Sequence, residues 1–204
     1  MVRYLLLLSA FTFAAPSMAD FTTNMGVGTK HVFRGMKESG QDIVLSAGFD
    51  YEGPLGLYLG GWGYTGSIED FDTSEVNAYG GFGFSVWDVA LGFGAIRYER
   101  AQETGLTEYT ASVAWSDYRY SYYQDEDEQY DYQEVAANWD VFGGNGFVLT
   151  AGMLTLEGEQ DETFDYSAAW VVALEGGADF QLKVTRHDDR GNAFVIGLNK
   201  QFDW

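Results

Sequence analysis

The feature that most constrains this chain is a two-residue alternation of apolar and polar side chains. Residues 194–204 show it most clearly, with Phe194, Ile196 and Leu198 on one face and mostly polar residues on the other. This period is typical of a β-strand whose two faces meet different surroundings, such as lipid and water. After residue 19, no apolar run reaches the roughly 18 residues of a membrane-spanning helix. A sheet in lipid has to close into a barrel, because lipid cannot pair its edges.

The same alternation recurs upstream and predicts twelve strands in all. These are residues 21–34, 41–51, 57–64, 75–84, 89–98, 108–115, 118–123, 134–141, 147–153, 165–172, 180–185 and 194–204. Short turns at 52–56, 86–88, 116–117, 142–146 and 175–177 alternate with longer charged loops at 34–41, 66–75, 99–108, 124–134, 156–165 and 187–191. An even strand number with this alternation is typical of bacterial outer-membrane barrels. We therefore predict an all-β, antiparallel, up-and-down transmembrane β-barrel over residues 20–204, with both termini in the periplasm.

Residues 1–19 have the three parts of a secretory signal peptide. Arg3 supplies a positive charge, residues 4–15 form a short apolar core, and small residues lead to a cleavage position after Ala19. Such a segment directs export and is then removed. The predicted location is the bacterial outer membrane.

Composition excludes several classes of protein. The chain has 31 acidic and 11 basic residues and a net charge of −20, which excludes a nucleic-acid binder because the phosphate backbone needs a basic face. The absence of Cys excludes a disulfide scaffold and a thiol nucleophile. Of the 31 carboxylates, 21 fall in the six predicted long loops. Clustered like charges have to be solvated or bridged by cations.

Three segments near the start of the mature chain resemble a known family. They are Val32-Phe33-Arg34-Gly35, Gly48-Phe49-Asp50-Tyr51 and Tyr58-Leu59-Gly60, and they resemble the opening of the Gcw_chp family, also called TorF-family porins. The first strand of those proteins ends in Tyr-Val-Phe-Arg-Gly, and His31 stands here where the family usually has Tyr. The close match covers the first third of the mature chain. The resemblance implies an outer-membrane porin and transfers no catalytic residue.

If the apolar C-terminal face meets lipid, the opposite face of each strand meets the lumen. The candidate pore-lining residues are then Lys30, Arg34, Asp42, Asp50, Glu75, Glu108, Arg119, Glu134, Asp165 and Lys183. Bases gather where the barrel closes and acids lie around the rest of the wall, which predicts a transverse field and a mild cation preference. Alternatively, these charges pair and fill a narrow lumen. The facing of residues 89–98 stays open.

The predicted function is a porin-like channel for passive diffusion of small polar solutes or ions, without a cofactor, metal or catalytic residue. One alternative is a non-conducting barrel whose acidic loops bind cations, lipopolysaccharide or a partner protein. Another is a hydrolase at the barrel rim, but the sequence offers only His31 and His187 as bases and no nucleophile motif. The expected partners are outer-membrane lipid and lipopolysaccharide, the barrel assembly machinery, and small solutes or cations. Phe202 and Trp204 resemble the C-terminal signal that outer-membrane barrels present to that machinery.

Overall fold

The computed structural model describes residues 20–38, 43–65, 74–100, 105–158 and 162–204. Within these residues, twelve strands form one closed antiparallel barrel. They are β1 (Asp20–Gly28), β4 (Val44–Glu52), β5 (Leu57–Tyr64), β6 (Glu75–Val86), β7 (Val89–Arg100), β8 (Leu106–Trp115), β9 (Tyr118–Asp125), β10 (Tyr130–Phe142), β11 (Asn145–Leu156), β12 (Thr163–Ala173), β13 (Ala178–His187) and β14 (Gly191–Asp203). Two short strands, β2 (Val32–Phe33) and β3 (Met36–Lys37), form a separate two-stranded sheet. The predicted fold and strand number are confirmed.

The barrel closes between its first and last strands. β1 pairs with β14 on one side and with β4 on the other, so that Val27 lies between Leu198 and Leu45. The five predicted short turns lie at the same end of the barrel as Asp20 and Trp204, and we call this the turn end. The opposite end is the loop end. No helix in the described part of the chain is long and apolar enough to cross a membrane.

The two faces of the wall follow the predicted alternation. On β6, Val76 and Phe82 point outward and are 62% and 54% exposed, whereas Glu75 and Asn77 point inward and are buried. The structure also gives the facing of β7, which the sequence leaves open: Phe93 points outward and Tyr98 is buried in the lumen. A strand with one apolar and one polar face is stable here because each face meets a matching environment.

Four of the six predicted long loops are too long. β9 continues to Asp125 and β10 begins at Tyr130, so residues 126–129 alone connect them. Glu75, Glu108 and Asp165, which lie where a predicted loop meets a predicted strand, are buried strand residues. Charge at the strand ends lengthens the predicted loops, whereas inward positions of these strands accept carboxylates that find polar partners inside.

The first predicted strand, residues 21–34, is also too long. β1 ends at Gly28, and the chain then leaves the wall and folds into the lumen. We call residues 32–37, which comprise β2, β3 and the turn between them, the lumenal hairpin. Arg34 therefore lies on this hairpin and not on the barrel wall.

Glycines in the wall make room for tyrosine side chains. A Cβ atom at Gly60 would overlap the ring of Tyr79, and one at Gly152 would overlap the hydroxyl of Tyr132. Because protein interiors are close-packed, a bulky ring on one strand needs a small residue where it lies against the next. This pairing explains why the strands are rich in both glycine and tyrosine.

Candidate functional site

The lumenal hairpin has a tight turn at Arg34 and Gly35. Val32 pairs with Lys37 and Phe33 with Met36, so these two residues alone form the turn. Their φ angles are 46° and 74°, both positive, as a type I′ turn requires. A Cβ atom at Gly35 would lie 2.6 Å from Cβ of Asp165. Glycine thus permits both the turn and its close approach to β12.

The remaining hairpin side chains contact other parts of the wall. Val32 forms a buried apolar cluster with Ala193 and Val195 of β14. The ring of Phe33 meets the ring of Tyr98 edge-on, with centroids 5.8 Å apart. The hairpin therefore crosses the loop half of the lumen from one side of the wall to the other.

A buried ion pair joins the hairpin to β8. The Arg34 guanidinium donates two hydrogen bonds to the Glu108 carboxylate, at 2.6 and 2.7 Å. The two side chains are 8% and 0% exposed. The hydroxyls of Tyr98 and Tyr130 donate to the same carboxylate at 2.9 and 2.6 Å. A buried charge is tolerated when it is paired and hydrogen-bonded in this way.

Aromatic rings surround the Arg34 guanidinium. Its Cζ atom lies 4.2 Å from the ring centroid of Tyr132, 4.6 Å from that of Phe33 and 4.9 Å from that of Tyr123. These distances are within the range of cation–π interactions, which gain strength when the cation is desolvated. Arg34 thus has both an anionic partner and an aromatic enclosure.

A second ion-pair group lies beside the hairpin at the loop end. Arg100 donates to Glu75 at 2.6 Å and lies 3.4 Å from Glu38, the residue after the hairpin. His31, before the hairpin, stacks on Tyr64 with ring centroids 3.9 Å apart. Burial, with the positive charges of Lys183 and Arg100 nearby, lowers the pKa of His31 to about 3. The His31 ring is therefore neutral at physiological pH.

A cavity of about 260 Å³ borders the hairpin and extends to the turn end. Asp20, Asp50 and Glu52 line one part of it, near the turn end, and the hydroxyl of Tyr79 donates to Asp50. Arg119 also lines this cavity. Acidic and basic side chains thus border the same polar space.

The predicted pore-lining residues fall into four groups. Arg34, Asp50, Glu75, Arg119, Glu134, Asp165 and Lys183 line the larger cavity. Lys30 lines a smaller cavity of about 70 Å³ together with Lys183. Glu108 is buried behind Arg34, and Asp42 lies outside the described residues.

Sequence reasoning missed the residues that surround Arg34. Tyr98, Tyr123, Tyr130 and Tyr132 were not among the candidates, because tyrosine carries no formal charge. The sequence does indicate the inward position of two of them, since alternation puts Tyr123 and Tyr132 on the inward face of their strands. Arg100 was missed because it falls in a predicted loop.

The two histidines have ordinary packing contacts. The His187 side chain is buried at the end of β13, where its Nδ1 atom accepts the backbone N–H of Asp189 at 3.1 Å. Within the ranges that the structure describes, no group of three or more His, Asp or Glu side chains is placed to hold a metal ion.

The barrel has the fold of outer-membrane porins. It resembles the KdgM porin with a TM-score of 0.62 and 7% identity, covering 89% of this chain and 99% of that one. The NanC porin gives 0.61 and 8%, covering 86% and 98%. The COG4313 outer-membrane channel from Pseudomonas putida F1 gives 0.52 and 11%, covering 97% and 100%. These structural neighbours are porins and channels and not enzymes.

Sequence comparison identifies a family. None of the curated proteins matches the chain. A family model described as "Bacterial protein of unknown function (Gcw_chp)" matches residues 13–187, which is most of the chain. The protein therefore belongs to the Gcw_chp family.

Proposed function

We propose that the protein is an outer-membrane channel for the passive diffusion of small polar solutes or ions, with a mild preference for cations. The observation that carries this proposal is a closed barrel with an apolar outer face around a cavity of about 260 Å³ that acidic and basic side chains border. A barrel needs such an outer face to lie in lipid, and a polar lumen is what a hydrophilic solute requires. The proposed orientation puts the turn end in the periplasm and the loop end outside the cell.

The charge of the cavity supports a preference for cations. Its lining includes the acidic residues Asp20, Asp50, Glu52, Glu75, Glu134 and Asp165 and the basic residues Arg34, Arg119 and Lys183. An excess of carboxylates raises the local concentration of cations. The KdgM porin has been seen with disordered oligogalacturonate, which is a polyanion. We infer that such a cargo would be repelled from this cavity.

Single-channel recording tests the proposal. The refolded mature chain, inserted in a planar bilayer under a salt gradient, should give discrete current steps with a cation-selective reversal potential. The same chain, kept unfolded in detergent and added to the bilayer, is the control for current that does not pass through a folded barrel. A folded barrel without current steps would argue against a channel.

A specific observation favours a second candidate, a non-conducting barrel. The lumenal hairpin with its Arg34–Glu108 ion pair and the neighbouring Arg100–Glu75 pair obstruct the loop half of the lumen, and a lumen closed by its own side chains does not conduct. The connection after β9 then becomes the candidate binding surface, since Glu126, Asp127 and Glu128 are exposed there. Replacing these three by Gln, Asn and Gln should abolish binding of divalent cations or lipopolysaccharide in this case. A channel should keep its conductance after the same change.

Two further proposals concern export and barrel assembly, and they involve the first and last residues of the sequence. We propose that residues 1–19 direct export and that the C-terminal aromatic residues are read by the barrel assembly machinery. Trp204 is 78% exposed, and its Nε1 atom donates to Thr23 at 3.1 Å. The change Trp204→Ala should lower the amount of folded barrel in the outer membrane of cells while leaving refolding in detergent unaffected. Equal amounts in cells would contradict the assembly role.

A further inference from the structure

The lumenal hairpin contributes to the lining of the larger cavity. Val32, Phe33, Arg34 and Gly35 all belong to that lining. The side chain of Glu108, which holds Arg34, is fully buried. A solute that crosses the lumen through this cavity therefore passes along the hairpin.

Contacts with separate parts of the wall hold the hairpin at this depth. Val32 packs on β14, the Phe33 ring meets Tyr98 of β7, and Gly35 lies against Asp165 of β12. The walls on both sides of the lumen are thus bridged by a segment of six residues. Such a segment narrows the passage as long as these contacts persist.

The Arg34–Glu108 pair is the strongest of these contacts. It is bidentate, with both N···O distances below 2.8 Å, and charge-assisted pairs of this geometry combine strength with a defined orientation. Gly35 lets the tip of the turn lie against β12, and the Arg34 side chain extends from this tip to Glu108 on β8. Loss of either charge leaves the other buried without its partner, which favours release of the hairpin.

We propose that the lumenal hairpin is the element that limits the size of solutes passing through the barrel, and that Arg34 and Glu108 are the positioning residues that hold it across the lumen. This inference rests on the proposed channel function. It also gives a physical role to Val32-Phe33-Arg34-Gly35, one of the three segments that resemble the family.

The test measures influx of uncharged sugars of increasing size into liposomes that contain the full mature chain. Glu108→Gln keeps the shape of the side chain and removes its charge, Arg34→Ala removes the partner, and Arg34→Lys keeps the charge without the bidentate geometry. The matched controls are Glu99→Gln and Arg97→Ala, because Arg97 and Glu99 form an ion pair that is 44% and 57% exposed. Heat-dependent migration in gels shows whether each variant is a folded barrel.

A second readout reports the position of the hairpin without any need for transport. Trypsin cleaves after arginine, and Arg34 is buried in the wild-type lumen. Cleavage after Arg34, detected by mass spectrometry, should appear in Glu108→Gln and be absent from the wild type and from Glu99→Gln.

The expected result is a several-fold faster influx and a larger size limit in Arg34→Ala and Glu108→Gln. Arg34→Lys should be intermediate, and both controls should match the wild type. Folded variants with the wild-type size limit would overturn the role of the hairpin while leaving the channel in place. Absence of influx in every variant, despite cleavage after Arg34, would overturn the proposed channel itself.

Discussion

The two halves of the lumen differ although the same strands form both. In the loop half, Arg34 and Glu108 lie among four tyrosines and the lumenal hairpin crosses the lumen, whereas in the turn half no inserted segment lies between Asp50 and its neighbours, which border a cavity of about 260 Å³. The wall strands alternate in the same way along their whole length, so the wall does not cause the difference. It arises because the lumenal hairpin supplies apolar, cationic and small residues to one half alone. A short inserted segment can therefore determine which part of a small barrel is filled.

The largest effect is expected when one partner of the buried ion pair is removed, and an exposed ion pair serves for comparison. Arg34→Met should lower the free energy of unfolding by about 3–5 kcal/mol, because it leaves the Glu108 carboxylate buried without its cation. The double change Arg34→Met with Glu108→Leu should recover much of this loss, since no buried charge remains. Urea unfolding in lipid vesicles, followed by tryptophan fluorescence, measures both values.

The exposed ion pair of Arg97 and Glu99 is the reference for this comparison of single and double changes. The same pair of changes at Arg97 and Glu99 should cost about 0.2–1 kcal/mol, as solvent screens exposed ion pairs. Similar small losses at both pairs would mean that the loop half is not held together by its buried charges.

The next prediction distinguishes backbone strain at a glycine from the packing around it. Gly35→Ala should cost about 2–5 kcal/mol, because an alanine with positive φ is strained and its Cβ also overlaps β12. Gly191 has a similar φ of 72° but open space around it, so Gly191→Ala should cost about 1–2 kcal/mol from strain alone. Urea unfolding gives the two values. Trypsin cleavage after Arg34 should increase in the first variant and not in the second.

A smaller effect concerns the hydroxyls that donate to Glu108. Tyr98→Phe should cost about 1.5–3 kcal/mol, because it removes a hydrogen bond to a buried, charged acceptor. Tyr120→Phe is the control, since its hydroxyl bonds to Gln133 at an exposed position and its loss should change the unfolding free energy by less than about 1 kcal/mol. Equal costs would indicate that water reaches Glu108 and that the loop half is not tightly packed.

The wall could be predicted from the sequence because each strand carries its own signal. On β6, Val76 and Phe82 on one face and Glu75 on the other fix the facing without any knowledge of the partner strands. The same reasoning correctly put Glu108 and Arg119 on the inward face. Local alternation is sufficient to predict whether a side chain points inward or outward, because a strand in a barrel wall has just two faces.

The hairpin could not be predicted because its residues continue the alternation of β1. Val32, Phe33 and Arg34 read as three more strand positions, and Arg-Gly is a weaker turn signal than Asn-Gly or Asp-Gly. The partner of Arg34 is also 74 residues away, and a single sequence contains no local trace of such a contact. The sequence therefore identified charged lumen residues but not which of them pair.

The smallest expected effect tests the turn half directly. Asp50→Asn removes one carboxylate from the lining of the open cavity and should lower the cation-to-anion permeability ratio roughly twofold, because one charge about 8 Å from a solvated ion contributes about 0.5 kcal/mol in water. Asp88→Asn is the control, since Asp88 lies in an exposed turn between β6 and β7, outside the cavity lining. Reversal potentials under a salt gradient measure both ratios. If Asp50→Asn and Asp88→Asn give the same ratio, ions do not pass close to Asp50, and the open half of the lumen does not set selectivity. A lower ratio for Asp50→Asn alone would mean that the carboxylates of the turn half contribute to charge selection.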